Sequence, residues 1–199
     1  MKYLITGLGN IGEEYKNTRH NIGFIILDAW AKESSVTFSD RRYGCITQVK
    51  YKGRTFVLLK PSTFVNRSGN AVRYWLRKEK IPTENLLVLV DDLSIPFGSM
   101  RLRSKGGDGG HNGLAHINMI LGNSNYARLR FGIENDFMTG GQVNYVLGEM
   151  TEDEKTILAN RTDLALEIIK SFGTIGVELT MTKYNKEAKS LDNGEGENS

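Results

Sequence analysis

Hydrophobic residues recur along the chain with two different periods. Four segments place them three and four residues apart, which is typical of helices buried on one face: residues 22–30, 68–80, 114–121 and 151–172. The last segment opens with Thr151 three residues before Glu154, the spacing of a capping box. These segments predict the main helices of the fold.

Short apolar runs lie between the predicted helices and indicate strands. They cover residues 3–6, 46–51, 55–59, 86–90 and 127–133. Lys52 and Gly53 separate the second run from the third and predict a hairpin. The unbroken aliphatic run at 86–90 predicts a central strand covered on both faces, whereas the polar segment 13–21 predicts a loop. This order of elements predicts an α/β fold, a single domain with a mixed, twisted β-sheet flanked by helices on both faces.

Charge is distributed unevenly along the 199 residues, whose formal net charge is +3. The tail, residues 191–199, contains three carboxylates and no basic residue, so residues 1–190 carry +6. We predict that residues 1–190 form the folded domain and that the glycine- and glutamate-rich tail is disordered. A basic domain is compatible with a polyanionic partner, although charge alone does not establish one.

Cysteine usage and the chain start bear on the cellular compartment. Cys45 is the single cysteine, which excludes a disulfide framework and a thiolate cluster for zinc. Met1 and Lys2 lead directly into a predicted strand, and no apolar run is long enough for a signal peptide or a membrane span. We therefore expect a cytoplasmic protein without a membrane anchor.

The glycine-rich turn after the first predicted strand admits two interpretations. Gly7, Gly9 and Gly12 match the dinucleotide-binding fingerprint, and Asp28 lies near the acidic position expected after it. That fingerprint requires an amphipathic helix at the third glycine, and residues 13–21 offer no apolar stripe. Asp28 falls inside a predicted helix instead of at a strand end. A nucleotide-dependent oxidoreductase is thus disfavoured, and we expect no cofactor.

Three polar, glycine-rich clusters contain the residues best suited to chemistry. They are GLGN at 7–10 with TRHN at 18–21, KPSTFVNRSG at 60–69, and a segment from VDD at 90–92 to GGHNG at 109–113. In this order and at these separations they resemble the peptidyl-tRNA hydrolase family, and the resemblance covers residues 3–150. Ile11, Phe64, Val65 and Lys105 depart from the family's usual pattern, but no residue with an assigned chemical role is lost. The resemblance implies a monomeric hydrolase that cuts the ester between a peptide and the 3′-terminal ribose of its tRNA.

The resemblance assigns catalysis to His20, Asp91 and Asn10. Because an alkoxide leaves readily from an ester, activated water is sufficient and no covalent nucleophile is required. A neutral imidazole, with a pKa of about 6.5, is suited to take a proton from water at neutral pH. Asp91 ends a predicted buried strand and is expected to orient the imidazole and stabilise the imidazolium. The alternative is that His20 is a surface histidine and Asp91 a turn residue.

Asparagines form the second group of candidates. An amide side chain both donates and accepts, so it pairs well with a peptide group and gains less from a free ammonium. This property favours a site that accepts peptidyl-tRNA and spares aminoacyl-tRNA. The resemblance places Asn10 beside the scissile carbonyl and assigns substrate binding to Tyr15, Phe64, Asn66 and Asn112. The alternative is that Asn10 is a turn residue and that Asn66 and Asn112 cap the helices that follow them.

Arginines near the second glycine loop, residues 106–113, form the third group. The resemblance associates Arg103 and Arg130 with the acceptor end of the tRNA. Glycine-loop amides beside guanidinium groups can also form a phosphate site. Arg128 and Arg130 alternate along a predicted strand, however, a pattern that is also typical of a solvated face.

Metal binding and loss of activity are the remaining alternatives. The three histidines, His20, His111 and His116, do not fit the spacing of a zinc motif. We expect no metal ion, and we expect His111 to be a structural residue beside the glycine loop. An RNA-binding protein that has lost turnover would bind tRNA with a steep salt dependence but would not hydrolyse it. The presence of both His20 and Asp91 argues against that alternative.

Overall fold

The computed structural model describes residues 1–134 and 140–189. Within this part of the chain, seven strands form one sheet: β1 (Lys2–Gly7), β2 (Ser39–Arg41), β3 (Gly44–Tyr51), β4 (Arg54–Pro61), β5 (Leu86–Asp92), β6 (Met100–Arg103) and β7 (Ala127–Gly132). Their order is β2-β3-β4-β1-β5-β7-β6. The inner strands β4, β1, β5 and β7 run parallel, while β2, β3 and β6 are antiparallel to their neighbours. The sheet is therefore mixed, as predicted.

The surroundings of the central strand β5 explain why its sequence is an unbroken aliphatic run. All of its residues are buried. Leu87 and Leu89 belong to a hydrophobic core on one face of the sheet, and Leu86, Val88 and Val90 belong to the core on the other face. A strand that is buried on both faces needs no polar alternation, which explains the unbroken apolar sequence.

Helices cover both faces of this sheet. They are α1 (Ile22–Glu33), α2 (Ser68–Glu79), α3 (Asn112–Leu121), α4 (Gln142–Val146), α5 (Glu152–Ile175) and α6 (Val177–Tyr184). Helices α1, α4, α5 and α6 pack on the core of one face, and α2 and α3 pack on the core of the other. The predicted α/β fold class is therefore confirmed.

Local signals in the sequence account for two of these elements. The Thr151 hydroxyl accepts from the Glu154 N–H at 3.2 Å, and the Glu154 carboxylate accepts from the Thr151 N–H at 2.7 Å. The predicted capping box thus opens α5 by satisfying N–H groups that lack a partner within the helix. The predicted hairpin is also present, because β3 and β4 pair antiparallel around Lys52 and Gly53.

A glycine near the start of α1 brings this helix directly against the sheet. A Cβ on Gly23 would lie 2.6 Å from the Leu8 backbone nitrogen and 2.8 Å from the Leu89 backbone oxygen. Contacts this short with backbone leave no room for a side chain. The start of α1, with His20 just before it, is thereby held at the carboxyl ends of β1 and β5, where open α/β sheets usually bind ligands.

Several elements differ from the expectation. The segment predicted as a loop contains two 3-10 helices, Glu13–Tyr15 and Arg19–Asn21. The element directly after Gly12 is only a three-residue 3-10 helix. Asp28 lies on α1, where it forms an ion pair with Lys60. The helix required by the dinucleotide fingerprint is thus not formed there. The hydrophobic pattern also did not predict β2, β6, α4 or α6.

Two further points concern the surface and the tail. Arg128 is fully buried, so the alternative of a solvated arginine face on β7 is wrong for this residue. The predicted disordered tail, 191–199, lies outside the described residues. Within the described residues, no helix has both the length and the hydrophobicity needed to cross a bilayer.

Candidate active site

Most predicted site residues converge on one cleft at the carboxyl ends of β1 and β5. Its volume is about 470 Å³, and its walls come from the loops after β1, β4 and β5, from the start of α3 and from α4. The predicted residues in its lining are Asn10, Tyr15, His20, Phe64, Asn66, Asp91, Asn112 and Arg130. Arg103 is the one predicted site residue outside this lining.

Asp91 joins two histidines within the cleft. The His20 Nδ1 atom lies 3.0 Å from both carboxylate oxygens of Asp91. The His111 Nε2 atom lies 3.1 Å from one of these oxygens, Oδ1. The Asp91 side chain is only 4% exposed, and the two imidazole rings stand 4.9 Å apart. Both histidines therefore converge on a single buried carboxylate.

Backbone groups define the tautomer of His111. Its Nδ1 atom accepts from the N–H groups of Gly113 (3.1 Å) and Leu114 (3.4 Å), in the first turn of α3. A ring nitrogen that accepts from a backbone N–H carries no proton, so the proton of His111 is on Nε2 and is donated to Asp91. Asp91, as a carboxylate, also accepts from the His20 Nδ1–H. The Nε2 atom, on the opposite edge of the His20 ring, is left as the proton acceptor.

Burial and charge have opposite effects on this pair. Burial of His20 disfavours its protonated form, but the charge of Asp91 and its hydrogen bond outweigh burial, so the pKa of His20 is raised. Burial of Asp91 likewise opposes ionisation, yet the two imidazoles and their hydrogen bonds hold its pKa well below the usual range. Asp91 is thus ionised at neutral pH, and His20 is a stronger base than a free imidazole.

Asn10 is held by a backbone clamp, formed by two hydrogen bonds with the Asn21 side chain, and by a hydrogen bond between two loops. The Asn21 side chain accepts from the Asn10 N–H at 2.8 Å and donates to the Asn10 carbonyl at 2.9 Å. The Asn10 Oδ1 atom accepts from the Val65 N–H at 3.1 Å. Because Oδ1 is engaged in this way, Nδ2 is the end of the amide that remains to donate to a ligand. Asn10 therefore connects the loops after β1 and β4, which a simple turn residue would not do.

Asn66 and Asn112 both line the cleft. Asn66 belongs to the 3-10 helix Val65–Arg67, and Asn112 is the first residue of α3; both are exposed. The residue before α2 is Arg67, without a side-chain cap, and α3 is capped by His111. The alternative that the two asparagines cap these helices is therefore wrong. The rim of the cleft also includes Phe64, an aromatic side chain that is 68% exposed.

Arg128 holds the second glycine loop from inside the protein. Its guanidinium donates to the carbonyls of Gly106 (2.6 Å) and Gly107 (2.8 Å) and lies over the ring of Tyr126, at 4.4 Å from its centroid. Because these carbonyls face the buried arginine, the loop is fixed by contacts within the protein. Arg128 is thus a support for the loop and is not exposed to a ligand.

Arg130 and Arg103 differ in their freedom to contact a ligand. Arg130 donates to the Asp92 carboxylate and to the Gly107 carbonyl, each at 2.9 Å, and its side chain is mostly buried at the cleft. Arg103 is exposed on the edge strand β6. Of the two predicted tRNA-binding arginines, Arg103 is therefore free to reach a phosphate, while Arg130 is already tied to the protein.

The His20, Asp91 and His111 cluster also has to be considered as a metal site. Their ligand-type atoms lie within 4.8 Å of one another. A metal ion would replace the hydrogen bonds to Asp91 and would require the His111 proton to move to Nδ1, which faces two backbone N–H groups. Metal-ligating histidines usually donate through the second ring nitrogen, whereas here that nitrogen accepts. The geometry therefore favours hydrogen bonding over metal coordination.

The sequence did not predict supporting roles for Asn21 and Arg19. It predicted His111 as a structural residue beside the glycine loop, but not its contact with Asp91. Arg19 forms a two-bond ion pair with Glu154 at 2.8 and 2.9 Å, and its guanidinium lies 4.3 Å from the ring centroid of Tyr145. It thus ties the His20 segment to α4 and α5. The TRHN motif contains Arg19 and Asn21, but only the fold shows which distant groups they bind.

Comparison with known proteins identifies the family of this fold and site. The family model described as Peptidyl-tRNA hydrolase matches residues 4–192. The chain belongs to the peptidyl-tRNA hydrolase family. The peptidyl-tRNA hydrolase of Phocaeicola vulgatus is 60% identical over 186 residues, which cover 94% of this chain and 100% of that protein. The one from Porphyromonas gingivalis is 53% identical over 185 residues, 93% of this chain and 100% of that protein.

A solved peptidyl-tRNA hydrolase supports the same assignment. The crystal structure of the Acinetobacter baumannii protein matches with a TM-score of 0.86 at 34% identity, and the match covers 92% of this chain and 94% of that one. The family, the hydrolase class and the fold predicted from the sequence are thus confirmed. Two of the residues that depart from the peptidyl-tRNA hydrolase motif, Ile11 and Val65, differ in their relation to the cleft. Ile11 is about half exposed and outside the cleft lining, and Val65 contacts Asn10 through its backbone.

Proposed function

We propose that this protein hydrolyses the ester between the peptide and the 3′-terminal ribose of peptidyl-tRNA, with His20 as the general base. The observation that carries the proposal is the His20–Asp91 pair, since the bond at Nδ1 leaves Nε2 free to act as a base. Nε2 takes a proton from water while the water oxygen bonds to the ester carbonyl carbon. The bond from that carbon to the ribose oxygen then breaks, and the imidazolium returns its proton to the ribose oxygen.

Asp91 and Asn10 stabilise charge that develops during this reaction. Asp91 orients the ring of His20 and stabilises the imidazolium, as a buried carboxylate does beside a catalytic histidine. Asn10 has its oxygen engaged by the Val65 N–H, so it offers Nδ2–H to the carbonyl oxygen as that oxygen becomes negative. A donor that is already held in place needs no reorganisation when the charge forms, which favours the transition state over the ground state.

Substrate binding is assigned to the exposed residues around this centre. Asn66 and Asn112 line the cleft and offer amide groups to the peptide backbone. Tyr15 and Phe64 supply aromatic surface for the terminal nucleotide or the peptide side chain. An amide site gains less from a free ammonium than from a peptide group, which is the proposed basis for sparing aminoacyl-tRNA.

The acceptor end of the tRNA is assigned to the face that contains Arg103. This exposed arginine can pair directly with a phosphate, and such contacts are independent of tRNA sequence. Arg130 contributes indirectly, because it fixes the glycine loop through Gly107 and Asp92 beside the cleft. We expect little discrimination among tRNAs from contacts of this kind.

The deciding experiment measures release of an N-acetylated amino acid from its tRNA by the wild type and by His20→Asn. A positioned general base contributes about 10²–10⁴-fold, so the variant should lose at least a hundredfold in kcat while circular dichroism shows an unchanged fold. His116→Asn is the matched control, because His116 lies outside the cleft lining and should leave kcat unchanged.

The other outcomes separate the alternatives. Equal cleavage by His20→Asn and the wild type would show that His20 is not the base. Binding of tRNA by both proteins without cleavage by either would support a tRNA-binding protein that has lost turnover.

A further inference from the structure

We infer that His111 is a positioning residue that fixes Asp91 against His20 and, through the same imidazole ring, fixes the start of α3 that presents Asn112. The inference rests on the proposed function, because it concerns how the general base of that reaction is held. His111 does not take the reacting proton in this proposal. Its role is to hold Asp91, through which His20 is oriented.

The two nitrogens of His111 face different parts of the fold. Nε2–H donates to Asp91 at the end of β5, at 3.1 Å, and Nδ1 accepts from Gly113 and Leu114 in the first turn of α3. The side chain is 9% exposed, so these bonds are largely shielded from water. One ring therefore connects the strand that ends in the catalytic carboxylate to a helix that lines the cleft.

The contact with His20 alone does not fix the Asp91 carboxylate. The His20 Nδ1 atom is equidistant from Oδ1 and Oδ2, at 3.0 Å from each, and therefore does not favour one oxygen over the other. The His111 Nε2–H contacts Oδ1, so it distinguishes the two oxygens and opposes rotation of the carboxylate. A general base has to be held within a narrow range of geometries to be effective, so a carboxylate that rotates would lower its efficiency.

The same ring determines where α3 begins. His111 is the N-cap of α3, and Asn112 follows it as the first residue of the helix. Orientation of the His111 ring by Asp91 therefore also positions the substrate-binding amide of Asn112. The His111 side chain thus fixes the position of Asn112 relative to the His20–Asp91 pair.

Two substitutions separate the capping contact from the Asp91 contact. His111→Asn keeps an acceptor close to the position of Nδ1, and asparagine is among the favoured N-caps. Its side chain is too short to reach Asp91. His111→Gln places an amide N–H near the position of Nε2, where it can donate to Asp91, but it lacks the acceptor that caps α3. A purely structural role and a positioning role therefore predict opposite orders for the two variants.

The experiment measures kcat, KM and melting temperature for both variants with an N-acetylated aminoacyl-tRNA. For His111→Asn we expect a melting temperature near that of the wild type and a kcat at least tenfold lower. For His111→Gln we expect a kcat within about threefold of the wild type and a melting temperature about 2–4 °C lower, from loss of the cap.

His116→Gln is the matched control within the chain. The Nδ1 atom of His116 also accepts from a helical N–H, that of Gly69 at the start of α2, at 2.9 Å. His116 is not among the cleft residues and is not paired with Asp91. Its substitution should therefore lower the melting temperature with kcat unchanged, which measures the effect of losing a histidine cap alone.

Each outcome bears on the inference. The inference would be overturned if kcat followed the melting temperature, so that both were lower in the Gln variant than in the Asn variant. Full activity of a folded Asn variant would also overturn it. If the Asn variant does not fold, the Gln variant decides: near-normal kcat supports positioning, and a tenfold loss refutes it. Failure of the wild type to cleave would instead refute the proposed function, and the inference with it.

Discussion

Replacing Asp91 by Asn should move the acidic limb of the pH–rate profile to lower pH. His20 acts as a base only when its imidazole is neutral, so the rate falls as the ring becomes protonated. In the wild type, Asp91 outweighs burial and holds the pKa of His20 above its ordinary value of about 6.5. In the variant the burial remains and the charge is absent. The pKa of His20, and with it the acidic limb, should therefore fall below the ordinary histidine value of about 6.5.

The size of this shift follows from the bond that is weakened. A hydrogen bond to a charged group contributes about 1.5–3 kcal/mol, and one pKa unit corresponds to about 1.4 kcal/mol. The Asp91 side chain is 4% exposed, so solvent screens the interaction little. We therefore expect the limb to move by about one to two pH units. The same energy stabilises the imidazolium in the transition state, so the rate on the alkaline plateau should fall by about 10- to 150-fold.

The assay is single-turnover cleavage of an N-acetylated aminoacyl-tRNA between about pH 5 and pH 9, the range in which imidazoles titrate, at constant ionic strength. His20→Asn is the control and should show no limb from this group. A folded Asp91→Asn variant whose limb stays in place, or moves to higher pH, would refute the assignment of Asp91 as the charge that raises the pKa of His20.

Three further predictions test the surroundings of the centre. Arg19→Met removes one partner of the ion pair with Glu154, in which the side chains are 10% and 15% exposed. The free energy of unfolding should fall by about 3–5 kcal/mol, which lowers the melting temperature by about 10 °C. A shift of less than about 2 °C in calorimetry would contradict this. Arg103→Gln should reduce the salt dependence of kcat/KM by about 0.7–0.9 in the slope of the log–log plot. Arg41→Gln, on β2 at the opposite edge of the sheet, should leave that slope unchanged. Dialysis against EDTA should leave kcat unchanged, because the His111 proton and its backbone contacts oppose metal binding; a loss of kcat that added zinc restores would count against this.

Local patterns in the sequence were sufficient for much of the fold. The capping box of Thr151 and Glu154 is encoded within four consecutive residues, and the apolar run at 86–90 indicates a buried strand by itself. The hairpin between β3 and β4 is likewise encoded by its turn. These elements were predicted because the groups that stabilise them are close in the sequence or are shared by a whole run of residues.

The elements and contacts that were not predicted depend on distant parts of the chain. The four-residue strand β6 has the alternation Met-Arg-Leu-Arg, but it is too short to be distinguished from a loop without its partner β7. Arg128 is buried because the second glycine loop covers it. His111 lies 20 residues from Asp91 in sequence, and its tautomer depends on where α3 begins. No sequence period encodes these relations.

Because Asn21 holds both backbone groups of Asn10 and the Val65 N–H holds its side-chain oxygen, Asn10 is ordered before any substrate arrives. Immobilising a rotamer-rich side chain during binding costs about 0.5–1.5 kcal/mol, and here that loss of freedom accompanies folding instead. The reaction barrier should therefore be mainly enthalpic, with a small activation entropy. Activity and fold should also be lost together on heating, since the clamp, the Arg19–Glu154 pair and the cap of α3 are contacts of the folded framework itself.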